Sequence, residues 1–262
     1  MVTTSSGMQA SAIVCPKPNS RARLRLFCFP YAGVGASVFC SLWKDLSEDI
    51  EVCSVQYPGR ESRRHEPLAS RMEELLESIA PSVREHNGMQ FAFFGHSLGA
   101  LVCFELAQFL RRAGERMPVH LLVSGRTAPQ IADQFSCGLD SSDAEILENL
   151  QRFDGTPAQV MQDPALMRFF LPVIRADLNV ISTYEYRVES PLDCSISAFG
   201  GLEDHTTNRE RIEAWRYQTS SSFKCIMLPG KHFFIHSART SFVEALEVAL
   251  NDHVSCVGGP QS

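Results

Sequence analysis

The chain has 262 residues, a hydrophobic content of 44% and a formal net charge of −6 from 24 basic and 30 acidic side chains. This length and apolar content are enough for a sizeable core, and α/β folds of this size are often one domain. The acidic balance, without a long basic run or zinc-finger spacing, argues against nucleic acid as a partner. No uninterrupted apolar run is long enough to predict a membrane-spanning helix.

The two ends of the chain and its cysteines indicate the compartment. Residues 1–22 are predicted to be a flexible leader and not a signal peptide, because a basic start and a continuous apolar core are missing. Residues 253–262 are predicted to be a flexible tail, which leaves residues 23–252 for one domain. The nine cysteines are odd in number, contain no C-x-x-C pair and often fall in apolar runs, where a free thiol packs as a small hydrophobic group. We therefore expect a cytoplasmic protein.

Short apolar runs alternate with amphipathic stretches along the chain, which is typical of a mostly parallel sheet with helices on both faces. Six apolar runs predict strands: RLFCF (25–29), IEVCSVQ (50–56), QFAFFG (90–95), HLLVSG (120–125), CSISAFG (194–200) and KCIMLPG (224–230). Gly114 is predicted to end the helix that begins after Ser97, and a last helix is expected over residues 240–251.

The interval 127–190 interrupts this alternation, because it contains no convincing buried strand and is far longer than an ordinary connection. Its patterns are helical. Ser142 and Glu145 form a predicted capping box, and Pro164 is expected to begin a helix that Pro172 ends or kinks. A helical lid inserted over an active site is therefore predicted.

The stretch FAFFGHSLGALVCFELAQFL, residues 91–110, places Ser97 where a strand turns sharply into a helix. In this G-x-S-x-G arrangement the turn exposes the serine oxygen, while Gly95 and Gly99 permit close packing of strand against helix. The start of a helix also supplies unpaired N–H groups beside a developing oxyanion. We predict that Ser97 is a catalytic nucleophile and that His96 packs the turn.

A nucleophilic serine of this kind needs a base, and the chain order in hydrolases with this turn is serine, acid, histidine. His232 follows the last predicted strand, on a loop at the end of the sheet from which Ser97 also emerges. His236 lies in the same segment but is expected at the approach to the final helix. His232 is therefore the favoured base.

The acid is expected on the loop after the preceding strand, where Glu203 and Asp204 follow a Gly-Gly turn. Asp204 is favoured over Glu203. Asp177 and Asp193 are the other carboxylates considered. They are interpreted as solvated or capping residues, because Asp177 falls in the helical pattern of the lid and Asp193 precedes a strand.

The loop FCFPYAGVGAS follows the first predicted strand and is rich in small residues, which let a backbone approach a substrate. The N–H groups of Ala32 and Leu98 are the predicted oxyanion donors. Gly33 and Gly35 could equally serve a tight turn alone. The loop lacks the third glycine and the acidic follower of a dinucleotide site, so no such cofactor is expected.

Taken in order, six segments of the sequence resemble motifs of type II, stand-alone thioesterases of the α/β-hydrolase superfamily, which accompany nonribosomal peptide and polyketide synthases. The segments are FCFPYAGVGAS, VQYPGRESR, FFGHSLGAL, RADLNVISTYEY, SAFGGLED and LPGKHFF. The resemblance covers roughly residues 24–250 and departs from the family at Val34, where a glycine is usual. It implies an α/β-hydrolase fold with a helical lid, and the following site: a triad of Ser97, Asp204 and His232, with oxyanion donors at Ala32 and Leu98.

The resemblance also implies the reaction and the partners. The enzyme would cleave acyl thioesters from the phosphopantetheinyl arm of acyl or peptidyl carrier proteins and would edit aberrant acyl groups. A serine mechanism requires no cofactor or metal, and we expect a monomer. Product release, acyl transfer, a cytosolic carboxylesterase of small free esters and a non-catalytic binding protein are the alternatives. Candidate arginines for carrier docking are Arg60, Arg63, Arg64, Arg111 and Arg112.

Overall fold

The computed structural model of the protein describes residues 11–132, 137–153 and 164–255. Within these ranges, seven strands form one sheet: β1 (Ile13–Val14), β2 (Leu24–Phe29), β3 (Ile50–Val55), β4 (Phe91–His96), β5 (His120–Ser124), β6 (Ser195–Gly201) and β7 (Phe223–Leu228). Their order in the sheet is β1-β3-β2-β4-β5-β6-β7. β1 is antiparallel to β3, and all other neighbouring strands are parallel. The six predicted strands are all present, which confirms the mostly parallel sheet.

The α-helices in the described ranges are α1 (Met72–Glu85), α2 (Leu98–Arg112), α3 (Asp143–Phe153), α4 (Pro164–Ser182), α5 (Arg209–Glu213), α6 (Phe234–Ser237) and α7 (Arg239–Ser255). Gly114, with a φ of 66°, follows the end of α2 as predicted. Among these helices, none combines the length and apolar character that crossing a bilayer requires.

Alternate side chains of the central strands enter two hydrophobic clusters on opposite faces of the sheet. Phe27 and Phe93 pack with residues of α1 and α2, whereas Leu26 and Phe94 pack with residues of α7. Successive residues of a strand point to opposite faces, so a strand covered by helices on both faces must be apolar at every position. This explains the continuous apolar runs in the sequence.

The ends of the chain differ from the flexible segments that the sequence predicted. From residue 11 onward the leader is part of the fold: Ile13 pairs with Val55 in the antiparallel β1–β3 ladder, and its side chain is buried. A strand of two residues is too short to leave a periodic apolar pattern. The last helix continues to Ser255, so the tail prediction fails for its first residues. Residues 1–10 and 256–262 lie outside the described ranges.

Cys15 and Cys53 form a disulfide, whereas the cysteine pattern predicted free thiols. The cause is the antiparallel pairing of Val14 with Ser54, which brings the next residue of one strand beside the preceding residue of the other. Because that pairing depends on the unpredicted β1, no sequence pattern indicated the disulfide. The other cysteines in the described ranges are free: Cys28, Cys40, Cys103, Cys137, Cys194 and Cys225.

The interval predicted as a lid contains α3 and α4. The capping box at α3 is present: the Ser142 N–H donates to the Glu145 carboxylate at 2.7 Å, and the Glu145 N–H donates to Ser142 Oγ at 3.3 Å. Pro172 does not end α4, which continues for ten more residues to Ser182. A proline removes one N–H donor from a helix, but α4 remains helical on both sides of Pro172.

His120 at the start of β5 makes stability depend on pH. Its ring nitrogens lie 2.9 Å from Ser197 Oγ and 3.0 Å from His253 Nε2. Burial, followed by the charges of His253 and Lys224, lowers the pKa of His120 to about 3. An unfolded histidine binds its proton near pH 6.5, so below that pH the unfolded chain holds more protons than the folded one, and stability falls as pH falls.

We expect His120→Gln to remove part of this acid sensitivity. Between about pH 6.5 and pH 5, the free energy of unfolding of the variant should fall less steeply than that of the wild type, by about 0.7 kcal/mol per pH unit at the upper end and about 1.3 at the lower end. Urea unfolding across this range measures the difference. The exposed His65, replaced by glutamine, is the control. Equal slopes for His120→Gln and the wild type would contradict the prediction.

Candidate active site

The residues predicted to form the site all follow the carboxyl ends of parallel strands. Ala32 comes after β2, Ser97 after β4, Asp204 after β6 and His232 after β7. Carboxyl ends of neighbouring parallel strands meet at one edge of the sheet, where α/β proteins bind ligands. The topology therefore brings these residues to the same edge.

Ser97 occupies the sharp turn between β4 and α2, and it is partly exposed. Its φ is 54° and its ψ is −114°, a conformation that non-glycine residues rarely adopt and that is concentrated at functional sites. The Ser97 N–H donates to the Ser124 carbonyl at 2.8 Å, which fixes the turn against β5. Leu98 is the first residue of α2, so its N–H has no acceptor within the helix.

Gly95 and Gly99 are needed because backbones approach each other at both positions. A Cβ on Gly95 would lie 2.1 Å from the Gly99 carbonyl oxygen, and a Cβ on Gly99 would lie 2.1 Å from the Phe29 oxygen and 2.9 Å from the Pro30 oxygen. Any side chain there would push the strands and helix apart. The second contact also places the start of α2 against the loop that contains Ala32.

Asp204 and His232 are in direct contact, with 2.9 Å between Asp204 Oδ2 and His232 Nδ1, and both side chains are buried. Their loops are joined by a hydrogen bond from the Glu203 N–H to the Gly230 carbonyl at 3.0 Å. The Glu203 and His236 side chains, the alternatives weighed from the sequence, are exposed. The structure thus pairs the favoured acid with the favoured base.

Thr206, which the sequence analysis missed, holds the Asp204 carboxylate. Its N–H and its hydroxyl donate to Asp204 Oδ1 at 2.8 and 2.7 Å, which leaves Oδ2 for His232. Burial raises the pKa of Asp204, but the hydrogen bond and charge of His232 and the two Thr206 hydrogen bonds outweigh it and lower the pKa below its ordinary value. Asp204 is therefore ionised at neutral pH. The Asp-x-Thr spacing, typical of an Asx turn, is the local signal that could have revealed Thr206.

His96 joins the serine turn to the His232 loop. It is fully buried, its Nδ1 lies 2.9 Å from Ser124 Oγ, and its ring centroid lies 5.0 Å from that of His232. Burial, followed by the charges of His232 and His236, lowers the pKa of His96 well below its ordinary value. His96 is neutral, so it packs beside His232 without adding a positive charge.

The loop that contains Ala32 is held on both sides of that residue. The Tyr57 hydroxyl donates to the Pro30 carbonyl at 3.1 Å, and Asp177 Oδ2 accepts the Gly33 N–H at 2.7 Å. Tyr57 and Asp177 are buried. The conformation of the loop thus depends on one side chain from the segment after β3 and one from α4. No local sequence pattern indicates these contacts.

Two sequence interpretations are wrong in this region. Asp177 is not solvated: it is 1% exposed and its carboxylate pairs with Arg60 at 2.6 Å. Arg60 and Arg63, proposed as docking residues, are buried, and Arg63 pairs with Glu66 at 2.6 Å. Buried and paired guanidinium groups cannot meet a partner's surface.

The remaining arginine candidates differ in their surroundings. Arg111 and Arg112 both pair with Glu189, at 2.8 and 2.6 Å, so their charges are largely compensated. Arg64 is exposed and donates to the Glu61 carbonyl oxygen at 3.4 Å. Arg112 is also exposed but is paired with Glu189, so Arg64 is the candidate that best suits docking.

Comparison with known proteins identifies the family. A family model of the thioesterase domain matches residues 24–250. The chain belongs to the thioesterase family. The gramicidin S biosynthesis protein GrsT of Aneurinibacillus migulanus is 42% identical, and the match covers 86% of this chain and 88% of that protein.

Solved structures of thioesterases share the fold. The RedJ thioesterase from the prodiginine biosynthetic pathway of Streptomyces coelicolor is 37% identical with a TM-score of 0.81, over 87% of this chain and 85% of that one. The type II thioesterase BorB from the borrelidin biosynthetic cluster is 32% identical with a TM-score of 0.81, over 95% of this chain and all of that one. These similarities confirm the predicted α/β-hydrolase fold and the resemblance to type II thioesterases. The protein is a hydrolase of thioesters.

In this thioesterase, the Thr206 hydroxyl should support catalysis by orienting Asp204. We expect Thr206→Val, which keeps the backbone hydrogen bond and the side-chain shape, to lower kcat about 10-fold without changing KM, because one hydrogen bond to a charged group is lost. Steady-state kinetics on an acyl thioester would measure this. Thr240, exposed on α7, provides the control Thr240→Val. A wild-type kcat for Thr206→Val would show that the hydroxyl is dispensable.

Proposed function

We propose that this thioesterase removes aberrant acyl groups from the phosphopantetheinyl arms of acyl or peptidyl carrier proteins in nonribosomal peptide or polyketide biosynthesis. The observation that carries the proposal is the buried Asp204–His232 hydrogen bond of 2.9 Å at the edge of the sheet where the Ser97 turn lies. The substrate class is supported by relatives named for gramicidin S, prodiginine and borrelidin biosynthesis.

In the proposed mechanism, His232 accepts the proton of Ser97 as Oγ attacks the thioester carbonyl carbon. Asp204 holds His232 through Nδ1–H and stabilises the imidazolium that forms. The N–H groups of Ala32 and Leu98 stabilise the oxyanion. The C–S bond then breaks and the phosphopantetheine thiolate leaves, and the His232 imidazolium passes the serine proton to it, which gives the free thiol and restores the neutral imidazole. A thiol has a pKa of about 8.5, so this leaving group needs little protonation.

The second half of the reaction releases the acyl group. Water attacks the acyl-enzyme while His232 accepts one of its protons, and the same residue returns a proton to Ser97 Oγ as the carboxylic acid departs. No metal or organic cofactor takes part in these steps. The carrier regains a free thiol and can be loaded again.

The same proposal includes three further expectations: the enzyme acts as a monomer, the carrier docks near Arg64, and the protein is cytoplasmic. Docking near Arg64 is supported by the exposure of that side chain. The free thiol that hydrolysis restores suits a reducing compartment. The Cys15–Cys53 disulfide weighs against that location, because disulfides are rare in reducing compartments.

The proposal is tested by the intact mass of an acyl-loaded carrier protein after incubation with the wild type and with Ser97→Ala. A p-nitrophenyl ester of the same acyl group is run in parallel. We expect the wild type to remove the acyl group from the carrier and to prefer the carrier over the free ester. The variant should leave the acyl group on the carrier. Cleavage of the free ester alone would replace the proposal with a carboxylesterase. Release of the acyl group onto an added acceptor, in place of free acid, would indicate acyl transfer.

A further inference from the structure

One buried ion pair outside the predicted triad links the lid helix to the loop that contains Ala32. Asp177 on α4 binds both terminal nitrogens of Arg60, with Oδ2 at 2.6 Å from Nη1 and Oδ1 at 2.7 Å from Nη2. Both residues are buried. Burial lowers the pKa of Arg60, but the charge and hydrogen bond of Asp177 outweigh burial and raise it.

The same two side chains also bind the backbone of the loop. Asp177 Oδ2 accepts the Gly33 N–H at 2.7 Å, and Arg60 Nη1 donates to the Val34 carbonyl at 3.3 Å. Charge-assisted hydrogen bonds of this kind are stronger and geometrically more restrictive than neutral ones. The peptide that follows Ala32 is therefore fixed by an element far away in sequence.

The lid helix is in direct contact with the loop at this point. Gly33 has a φ of 84°, and a Cβ there would lie 2.8 Å from Ile174 Cγ1 on α4. Ile174 is one turn before Asp177 in the helix, so the apolar contact and the hydrogen bond come from the same face of α4. This arrangement requires both the absence of a side chain at Gly33 and an acceptor at position 177.

We propose that Asp177, held in place by Arg60, is a positioning residue for the oxyanion hole: by occupying the Gly33 N–H, it orients the preceding Ala32 N–H toward the site. Removing one oxyanion donor typically costs about 100-fold or more in kcat, so a displaced donor should cost a measurable part of that factor. The inference rests on the proposed function, in which Ala32 supplies that donor.

The test separates positioning from the stability of the buried ion pair. Replacing one partner would leave the other charge buried and unpaired, which destabilises proteins, whereas replacing both removes this penalty. We therefore compare two double variants. The first combines Asp177→Asn and Arg60→Met and retains an oxygen acceptor for the Gly33 N–H. The second combines Asp177→Leu and Arg60→Met and retains no such acceptor. Both double variants lack the ion pair, and their thermal midpoints check that they are folded.

We expect the leucine double variant to have a kcat about 10-fold lower than the asparagine double variant, with the same KM. An acyl trifluoromethyl ketone, whose adduct with Ser97 carries an oxyanion, should lose affinity by the same factor. A thioether analogue without a carbonyl should bind both variants equally. Equal kcat and equal ketone affinity would overturn the inference, and so would a parallel loss of ketone and thioether binding.

If the leucine double variant does not fold, Asp177→Glu takes its place, because it keeps the charge opposite Arg60 and displaces the acceptor by one methylene group. The same selective loss of ketone affinity is then expected, and its absence overturns the inference. Inhibition of the wild type by the ketone distinguishes a failure of the proposed function from a failure of the inference about Asp177. If the ketone does not inhibit the wild type through Ser97, the proposed function and the inference both fail. If it does and the variants do not differ, only the inference fails.

Discussion

Replacing Ser97 by alanine is expected to lower kcat for thioester hydrolysis by about 10⁶-fold while leaving substrate affinity unchanged. The reason is that the serine oxygen forms the acyl-enzyme in the proposed mechanism, and no other group in the turn can take its place: His96 is buried and neutral, and Leu98 contributes only its backbone. Single-turnover hydrolysis of an acyl thioester would give the rate, and binding of the thioether analogue would give the affinity.

The control for this substitution is Ser41→Ala. Ser41 is exposed and precedes a short 3-10 helix without forming a capping hydrogen bond through its side chain. We expect wild-type kinetics for Ser41→Ala. If Ser97→Ala retained a rate within about 10-fold of the wild type, the assignment of Ser97 as the nucleophile would be wrong.

Replacing Asp204 by asparagine is expected to lower kcat by about 10⁴-fold, a larger effect than the loss of one charge alone would cause. The two Thr206 donors bind the oxygen Oδ1, so the oxygen of the new amide should remain there. Its NH₂ group would then face His232 Nδ1, which would have to accept instead of donate a hydrogen bond. The proton would move to Nε2, the nitrogen that must accept the proton of Ser97.

The adjacent carboxylate provides the matched control, Glu203→Gln. Glu203 is exposed, and Asp204 makes the contact with His232. Glu203→Gln should therefore retain the wild-type kcat. Steady-state kinetics of both variants on the same thioester would make the comparison. A large loss in Glu203→Gln with a small loss in Asp204→Asn would reverse the assignment of the acid.

Local sequence patterns predicted the parts of the fold that depend on local physics. The strands β2 to β6 are buried at nearly every position, so their apolar runs are visible without a structure, whereas the edge strand β7 is mostly half-buried. The glycines of the serine turn were predictable for the same reason, because their short backbone contacts are a property of the turn itself. Ser97, Asp204 and His232 were then selected by the chain order serine, acid, histidine and by their places after β4, β6 and β7.

Tertiary contacts account for what the sequence could not predict. β1 has two residues and exists through its pairing with β3, and the Cys15–Cys53 disulfide follows from that pairing. Asp177 and Arg60 are charged, and from the sequence both were interpreted as exposed side chains. Only the packing of α4 on the loop after β2 buries them together.

The central claim, that Ser97 is acylated during thioester hydrolysis, is tested most directly by rapid acid quenching of the wild type with an acyl thioester, followed by peptide mass mapping. We expect a transient mass increase equal to the acyl group on the peptide that contains Ser97, decaying as free acid appears and missing from Ser97→Ala. An acyl group on another residue, or hydrolysis by Ser97→Ala at the wild-type rate, would contradict the mechanism.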